Sequence, residues 1–170
     1  SQLDQQGKDL EDLSSLIERW NDVDLAADKR LEAVKEIHIA FHQMYPDTVL
    51  HYLEEMRELA KSADLPLALF SAHNRIASLL EKQGSTTDAL IAFGHAEQVA
   101  ISLGDSIRLG SVYANRGNVY VQLNQYVEAV RHFNRAMELY ADAGAEDRAR
   151  SMRMALGNVF MLIDHYKLAM

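Results

Sequence analysis

The chain contains no cysteine and, among its 170 residues, only two prolines and eight glycines. The absence of cysteine excludes disulfides, thiolate catalysis and cysteine-based zinc sites. So few prolines and glycines leave room for long uninterrupted helices. No apolar run approaches the roughly 20 residues that span a bilayer, and no signal-peptide pattern opens the chain. We therefore expect no membrane insertion and a cytoplasmic location.

Basic residues are also scarce, because the formal net charge is −8. Binding to a phosphate backbone needs a basic face, so we expect no nucleic-acid partner. The sequence has no glycine-rich phosphate loop and no arrangement of nucleophile and base. We therefore expect no catalytic residue, no cofactor and no enzymatic activity in this stretch of chain.

A repeat of about 40 residues runs through the chain and indicates a solenoid, in which each unit buries its apolar face against its neighbours. The matching positions fall in three columns: Ala89, Ala129 and Ala169; Phe93 and Phe133; Ala96 and Ala136. Chains of this kind usually bind other molecules rather than catalyse reactions. The chain begins at Ser1 without an initiator Met and ends one residue after Ala169, early in a repeat. We therefore expect a piece of a longer protein.

Inside each repeat, apolar residues recur at helical spacing, and residues that tolerate left-handed backbone follow the helices. These residues form two columns: Gly84, Asn124 and Asp164; Asp64, Gly104 and Gly144. The pattern predicts paired helices with short turns. The expected helices span 25–44, 47–63, 66–83, 86–103, 106–123, 126–143 and 146–163, followed by the start of another.

Residues 1–23 lie outside the repeat and precede the array predicted for residues 24–170, which has about three full units and a truncated fourth. Apolar residues in this segment follow a heptad: Leu3, Leu10 and Ile17 at one position; Gln6, Leu13 and Trp20 at the other. One interpretation is a helix that caps the apolar face of the first unit. The alternative is a short coiled coil that joins two copies.

The repeat positions resemble the tetratricopeptide repeat, which has a small residue and an aromatic on its first helix and Ala, an aromatic and Ala on its second. The residues that carry the resemblance are Asn115, Gly117, Asn118, Tyr120, Tyr126, Ala129, Phe133 and Ala136. The proline that usually closes the motif is absent, and the period exceeds its usual length of about 34 residues. The longer period is similar to that of kinesin light chains and many bacterial regulators. The resemblance implies an all-α fold, a right-handed superhelix of antiparallel helix pairs, and binding of a protein or peptide.

A second resemblance is to the N-terminal repeat regions of bacterial signalling proteins, in which such an array precedes a class III adenylate or guanylate cyclase, a histidine kinase or a phosphatase. It rests on Trp20, Asn21, Asp22, 28–31, 45–48, Leu59 and Ala60. This resemblance implies a sensory or regulatory module without the catalytic residues of those enzymes. Two alternatives are an array of the peptide-pheromone-receptor type and an enzyme with its site in the groove.

The first helix of each unit is expected to line the inner groove, so three columns are candidate contacts for a partner. The columns are Ser71, Ser111 and Ser151; Asn74, Ala114 and Met154; Ser78, Asn118 and Asn158. Asn side chains offer both donor and acceptor to a peptide backbone, which favours Asn118 and Asn158. Arg75, Glu81 and Gln122 are expected to add polarity at the rim. The alternative is that these small polar residues only allow first helices to pack closely.

Two further features carry separate hypotheses. His38 and His42 are four residues apart, as in a zinc-binding helix, but the sequence shows no third ligand, so we expect no metal site.

Self-association is expected through residues 146–170 or through 3–20. In the first of these segments, the apolar residues Met154, Val159, Phe160, Leu162 and Ile163 are expected to lack a covering helix.

Overall fold

A computed structural model gives the structure, which describes the backbone of residues 2–168 and the side chains of residues 7–165. Within the described backbone the chain forms eight α-helices and no β-strand. The helices are α1 (Gln2–Asn21), α2 (Ala27–Phe41), α3 (Pro46–Ser62), α4 (Pro66–Lys82), α5 (Thr86–Ser102), α6 (Ser106–Gln122), α7 (Tyr126–Asp142) and α8 (Glu146–Leu168). The all-α prediction is confirmed, and the predicted bounds of α2 to α7 agree within three residues.

The turns between helices have the left-handed backbone that their residue types predict. Gly84 and Asn124 have φ of 80° and 57°, and each follows the first helix of a pair. Asp64, Gly104 and Gly144, with φ of 51°, 63° and 70°, follow the second helices. In this conformation the amide after the turn residue bonds back to the helix, as when Gln125 donates to the carbonyl of Tyr120 at 2.8 Å.

The predicted turn at Asp164 is wrong, because α8 continues without a break to Leu168. Asp tolerates the left-handed conformation but does not require it, so packing of the next helix has to stabilise such a turn. Within the described residues, no helix after Asp164 packs back onto α8. Tyr166 therefore lies in α8 rather than in a new helix. Ala169 lies outside the described residues.

The chain divides into two compact units, and the division falls inside α4, between Leu79 and Leu80. In the first unit α1 packs on α2, and α2 packs on α3. Leu13 and Trp20, at one heptad position of α1, are buried, whereas Leu10 at the other position is 51% exposed. The side chains of Leu3 and Gln6 lie outside the described residues. The boundary expected after residue 23 stays a prediction.

In the second unit α6 and α7 are antiparallel, because residues later in α6 contact residues earlier in α7. A Cβ added to Gly110 would lie 2.8 Å from Cε1 of Tyr140, and one added to Gly117 would lie 2.5 Å from Cε1 of Phe133. Real Cβ atoms do not approach a ring so closely, so the two glycines allow the helices to pack at this distance. The sequence predicted this role for Gly117 but not for Gly110.

The next helix, α8, packs on α7 with the same antiparallel order. Two buried clusters hold it: Ala114, Ala136, Tyr140 and Ala149; Ala129, Phe133, Leu156 and Val159. Val159 is therefore covered, contrary to expectation, and Ile163 packs at the edge of the second cluster. Both side chains point toward α7 and need no further helix. The other predicted residues, Met154, Phe160 and Leu162, are exposed.

Candidate functional site

The predicted contact residues lie on α4, α6 and α8, which places them in both units. Ser71, Asn74, Arg75 and Ser78 belong to the first unit, and all four side chains are half-buried. The guanidinium of Arg75 donates to Oγ of Ser71 at 3.2 Å, and its Nη1 lies 2.8 Å from Nδ1 of His38. Burial lowers the pKa of Arg75, and the nearby carboxylate of Glu32 opposes that shift. Arg75 thus joins α4 to α2 in addition to any contact with a partner.

His38 and His42 stack with their ring centroids 5.4 Å apart. Nδ1 of His42 lies 3.0 Å from the carbonyl oxygen of His38. Nδ1 of His38 is in contact with Nη1 of Arg75, as described above. These contacts give each ring a structural partner on a neighbouring turn or helix. Among the described side chains, no three from His, Asp and Glu converge where a metal ion would bind.

In the second unit Ser111 is the meeting point of three helices. Its hydroxyl accepts from the hydroxyl of Tyr140 on α7 at 3.1 Å and from Nη1 of Arg148 on α8 at 3.3 Å. It also donates to the carbonyl of Ile107 at 3.1 Å. The Arg148 guanidinium lies 5.7 Å from the centre of the Tyr140 ring. Sequence reasoning selected Ser111 but missed both of these partners, which lie 29 and 37 residues away.

Glu81 and Gln122 were both predicted at the rim, and the structure brings them together. Nε2 of Gln122 donates to Oε1 of Glu81 at 2.8 Å, which joins the end of α4 to the end of α6 inside the second unit. Burial raises the pKa of Glu81, while the charge of Lys82 and the bond from Gln122 act in the opposite direction. The two residues are 41 positions apart, so the repeat itself places them side by side.

The remaining predicted residues are exposed. Ser151 donates to the carbonyl of Asp147 at 3.0 Å, one turn earlier on α8. Asn118 on α6 and Asn158 on α8 occupy equivalent repeat positions, and both side chains face solvent. Neither amide makes a hydrogen bond within the described part of the chain. Both amides keep a donor and an acceptor for an external group.

Ala114 was expected to face the groove, and this expectation is wrong. Ala114 is buried among Ala136, Tyr140 and Ala149 because its side of α6 faces α7. Met154 occupies the equivalent position on α8 and is 67% exposed, since no described helix covers that side.

A polar cluster joining α5, α6 and α7 was not anticipated from the sequence. Nη1 of Arg116 donates to Glu97 at 2.5 Å, and the hydroxyl of Tyr113 donates to the same carboxylate at 2.7 Å. The ring of His132 packs 5.7 Å from Tyr113 and 4.8 Å from Tyr120. The Nε atom of Arg116 is buried without a partner among the described residues. No sequence motif marks these residues, because the cluster is assembled from three helices.

Burial lowers the pKa of His132, and the positive charges of Arg116 and Arg131 act in the same direction. The carbonyl of Glu128, 2.9 Å from Nδ1, and the Glu128 carboxylate partly oppose the shift. Burial beside the rings of Tyr113 and Tyr120 therefore favours the neutral form of His132. No described helix combines the length and the apolar character needed to cross a membrane.

Comparison with known proteins bears on the repeat directly. A family model described as Tetratricopeptide repeat matches residues 68–142, which include α5, α6 and α7. Within these residues the chain is similar to the tetratricopeptide repeat. The match covers the helix pair in which Gly117 accommodates the ring of Phe133, as the resemblance implied.

Solved structures share the fold of the repeats. The apo form of RapI superposes with a TM-score of 0.72 at 14% identity, covering 86% of this chain and 41% of that one. BtubC (BKLC) from P. vanneervenii superposes with a TM-score of 0.63 at 13% identity, covering 95% of this chain and 76% of that one. At such identities the likeness shows the fold alone, and the chain spans about two fifths of the RapI length. No curated protein sequence matches the chain.

Proposed function

We propose that this chain is a protein-interaction module that binds a protein or peptide along the first helices of its tetratricopeptide repeats. The observation that carries the proposal is the pair Asn118 and Asn158, exposed at equivalent positions of α6 and α8 without a partner in the described residues. An amide of this kind can bond an extended peptide through donor and acceptor at once. Because the repeat places these amides at regular intervals along the array, successive amides contact successive parts of a bound segment.

The neighbouring predicted residues support a prepared surface around these amides. Ser111 is fixed by Tyr140 and Arg148, and Gln122 is fixed by Glu81. Side chains that are already ordered lose less conformational entropy when a partner binds. In this proposal the two asparagines make the contacts, and the fixed residues give the surface its shape.

The wider setting is part of the same proposal. The resemblance of residues 20–22 and 45–48 to bacterial signalling proteins supports a sensory or regulatory role in the cytoplasm, ahead of an output domain such as a nucleotide cyclase. Self-association through residues 146–170 or 3–20 is a further part of it. In this setting the module acts by recognition and needs no catalytic residue or cofactor of its own.

A peptide selection tests the proposal directly. Peptides selected from a random displayed library on the wild-type chain are measured by calorimetry against the Asn118→Ala/Asn158→Ala variant. We expect about tenfold weaker binding, because each lost hydrogen bond contributes about 0.5–1.5 kcal/mol. The matched control is Gln98→Ala, which removes an exposed amide from α5. Equal affinity for the wild type and the double variant would refute the proposal.

A further inference from the structure

One side of α8 is exposed along most of its described length. Met154, Phe160 and Met161 are 67%, 52% and 65% exposed, and Arg150, Gly157 and Asp164 are also exposed. The opposite side carries Ala149, Leu156 and Val159, which are buried against α7. One face of α8 thus packs on α7. The second face carries exposed apolar side chains, and no helix covers it among the described residues.

The exposed residues follow the spacing of a helix-pairing seam. Arg150, Met154, Gly157, Met161 and Asp164 are separated by four, three, four and three residues. At 3.6 residues per turn these positions lie within about 80° of arc, which is the stripe that a second helix covers. Phe160 borders the stripe on one side.

Gly157, at the centre of the stripe, has no close neighbour among the described residues. A Cβ added there would meet nothing within 4 Å, whereas one added to Gly117, the equivalent residue of α6, would strike the ring of Phe133. A ring from outside the described chain would fill the space at Gly157 as Phe133 does at Gly117.

We propose that α8 pairs with α8 of a second copy in antiparallel orientation, with Gly157 at the two-fold axis. In this register Arg150 faces the partner subunit's Asp164, and Met154 faces the partner subunit's Phe160, each contact occurring twice. The aromatic ring from each copy then lies beside the other copy's Gly157. The inference rests on the self-association part of the proposed function and does not involve Asn118, which lies on α6.

The charges at the two ends of the stripe are what favour a second copy as the occupant. Antiparallel symmetry places Arg150 of each helix opposite Asp164 of the other, whereas parallel pairing would set Arg150 against Arg150 and Asp164 against Asp164. Arg150 is free to take part, because its ion pair with Asp147 joins side chains that are 66% and 93% exposed. The alternative surface on α1 is less available for a second copy, because Leu13 and Trp20 are already buried within the first unit.

Sedimentation velocity across the micromolar range tests the proposal on the full chain. The wild type is expected to dimerise, and Arg150→Asp, Asp164→Arg and Phe160→Glu are each expected to raise the dimer dissociation constant about tenfold or more. Leu162→Glu, on the same helix but off the stripe, should leave it unchanged. Circular dichroism confirms that each variant keeps its helices.

The register is tested by mixing. Arg150→Asp and Asp164→Arg chains should associate with each other, since every facing pair is then of opposite charge, and the doubly substituted chain should dimerise like the wild type. The proposal would be overturned by a wild-type chain that stays monomeric or by a dimer that the α8 variants do not weaken. It would also be overturned if the Arg150→Asp and Asp164→Arg chains failed to associate with each other when mixed. Peptide binding by a single Asn118→Ala variant, on α6 and outside the α8 stripe, tests the proposed function separately.

Discussion

The indole of Trp20 donates to Oε2 of Glu55 at 2.7 Å, which ties α1 to α3. Trp20 is buried and also contacts Arg30 of α2. The Arg30 guanidinium lies 4.9 Å from the ring centre, and its Nε donates to the Trp20 carbonyl at 2.7 Å. One aromatic side chain thus joins three helices of the first unit. These contacts explain how α1 is held to α2 and α3.

We expect Glu55→Ala to lower the free energy of unfolding by about 1 kcal/mol, because the indole loses its acceptor. Trp20 is the only tryptophan, so its fluorescence during urea unfolding reports on α1 directly. Glu54→Ala, which removes an exposed neighbour, is the control. An unchanged unfolding midpoint in the Glu55 variant would show that the bond adds no stability.

Replacing Gly117 by leucine should destabilise the second unit by about 1–3 kcal/mol or more, because the new Cβ would lie 2.5 Å from the buried Phe133 ring. Thermal and urea unfolding measure the change. Gly94→Ala is the matched control, since Gly94 lies inside α5 and a Cβ there meets nothing within 4 Å. That substitution should stabilise the chain by up to about 1 kcal/mol. A Gly117→Leu chain as stable as the wild type would contradict the close contact of α6 and α7.

The ion pair of Glu97 and Arg116 should matter more than the other ion pairs. Its side chains are only 17% and 21% exposed, whereas those of Arg135 and Glu138 are 53% and 58% exposed. We expect Glu97→Gln to cost about 2–3 kcal/mol, because it leaves Arg116 charged and poorly solvated. Glu138→Gln should cost no more than about 0.5 kcal/mol. Equal effects in urea unfolding would mean that the partial burial of the first pair has no energetic consequence.

His132 should make stability depend on pH. Its folded pKa is lowered below the unfolded value of about 6.5, so the unfolded chain takes up a proton more readily. The contribution of His132 is therefore fully present above about pH 6.5 and is lost as the pH falls through the window below it. Urea midpoints of the wild type and His132→Gln, compared across this range, isolate the effect from the other histidines. Parallel pH profiles for the two chains would show that His132 does not contribute.

The sequence predicted most of the fold because the information is local and repeated. Helices α2 to α7 follow from apolar spacing, and five of the six predicted turn residues have positive φ. The prediction at Asp164 is wrong because a left-handed Asp depends on the packing of a subsequent helix, whereas Gly84 and Gly144 adopt that backbone without a steric penalty. The untested contact residues stay predictions, although Asn118 and Asn158 are exposed as that role requires.

By itself, then, the sequence determined the helix pairs, their turns and the small residue beneath Phe133, since a period fixes which residue types recur on which face. Only the tertiary structure decided which polar groups meet. Ser111 with Arg148, and Glu97 with Arg116, join helices through side chains whose directions depend on how the helices cross. The tertiary structure also decided that Ala114 is buried and Met154 is exposed, because burial at equivalent positions depends on whether a second helix lies against them.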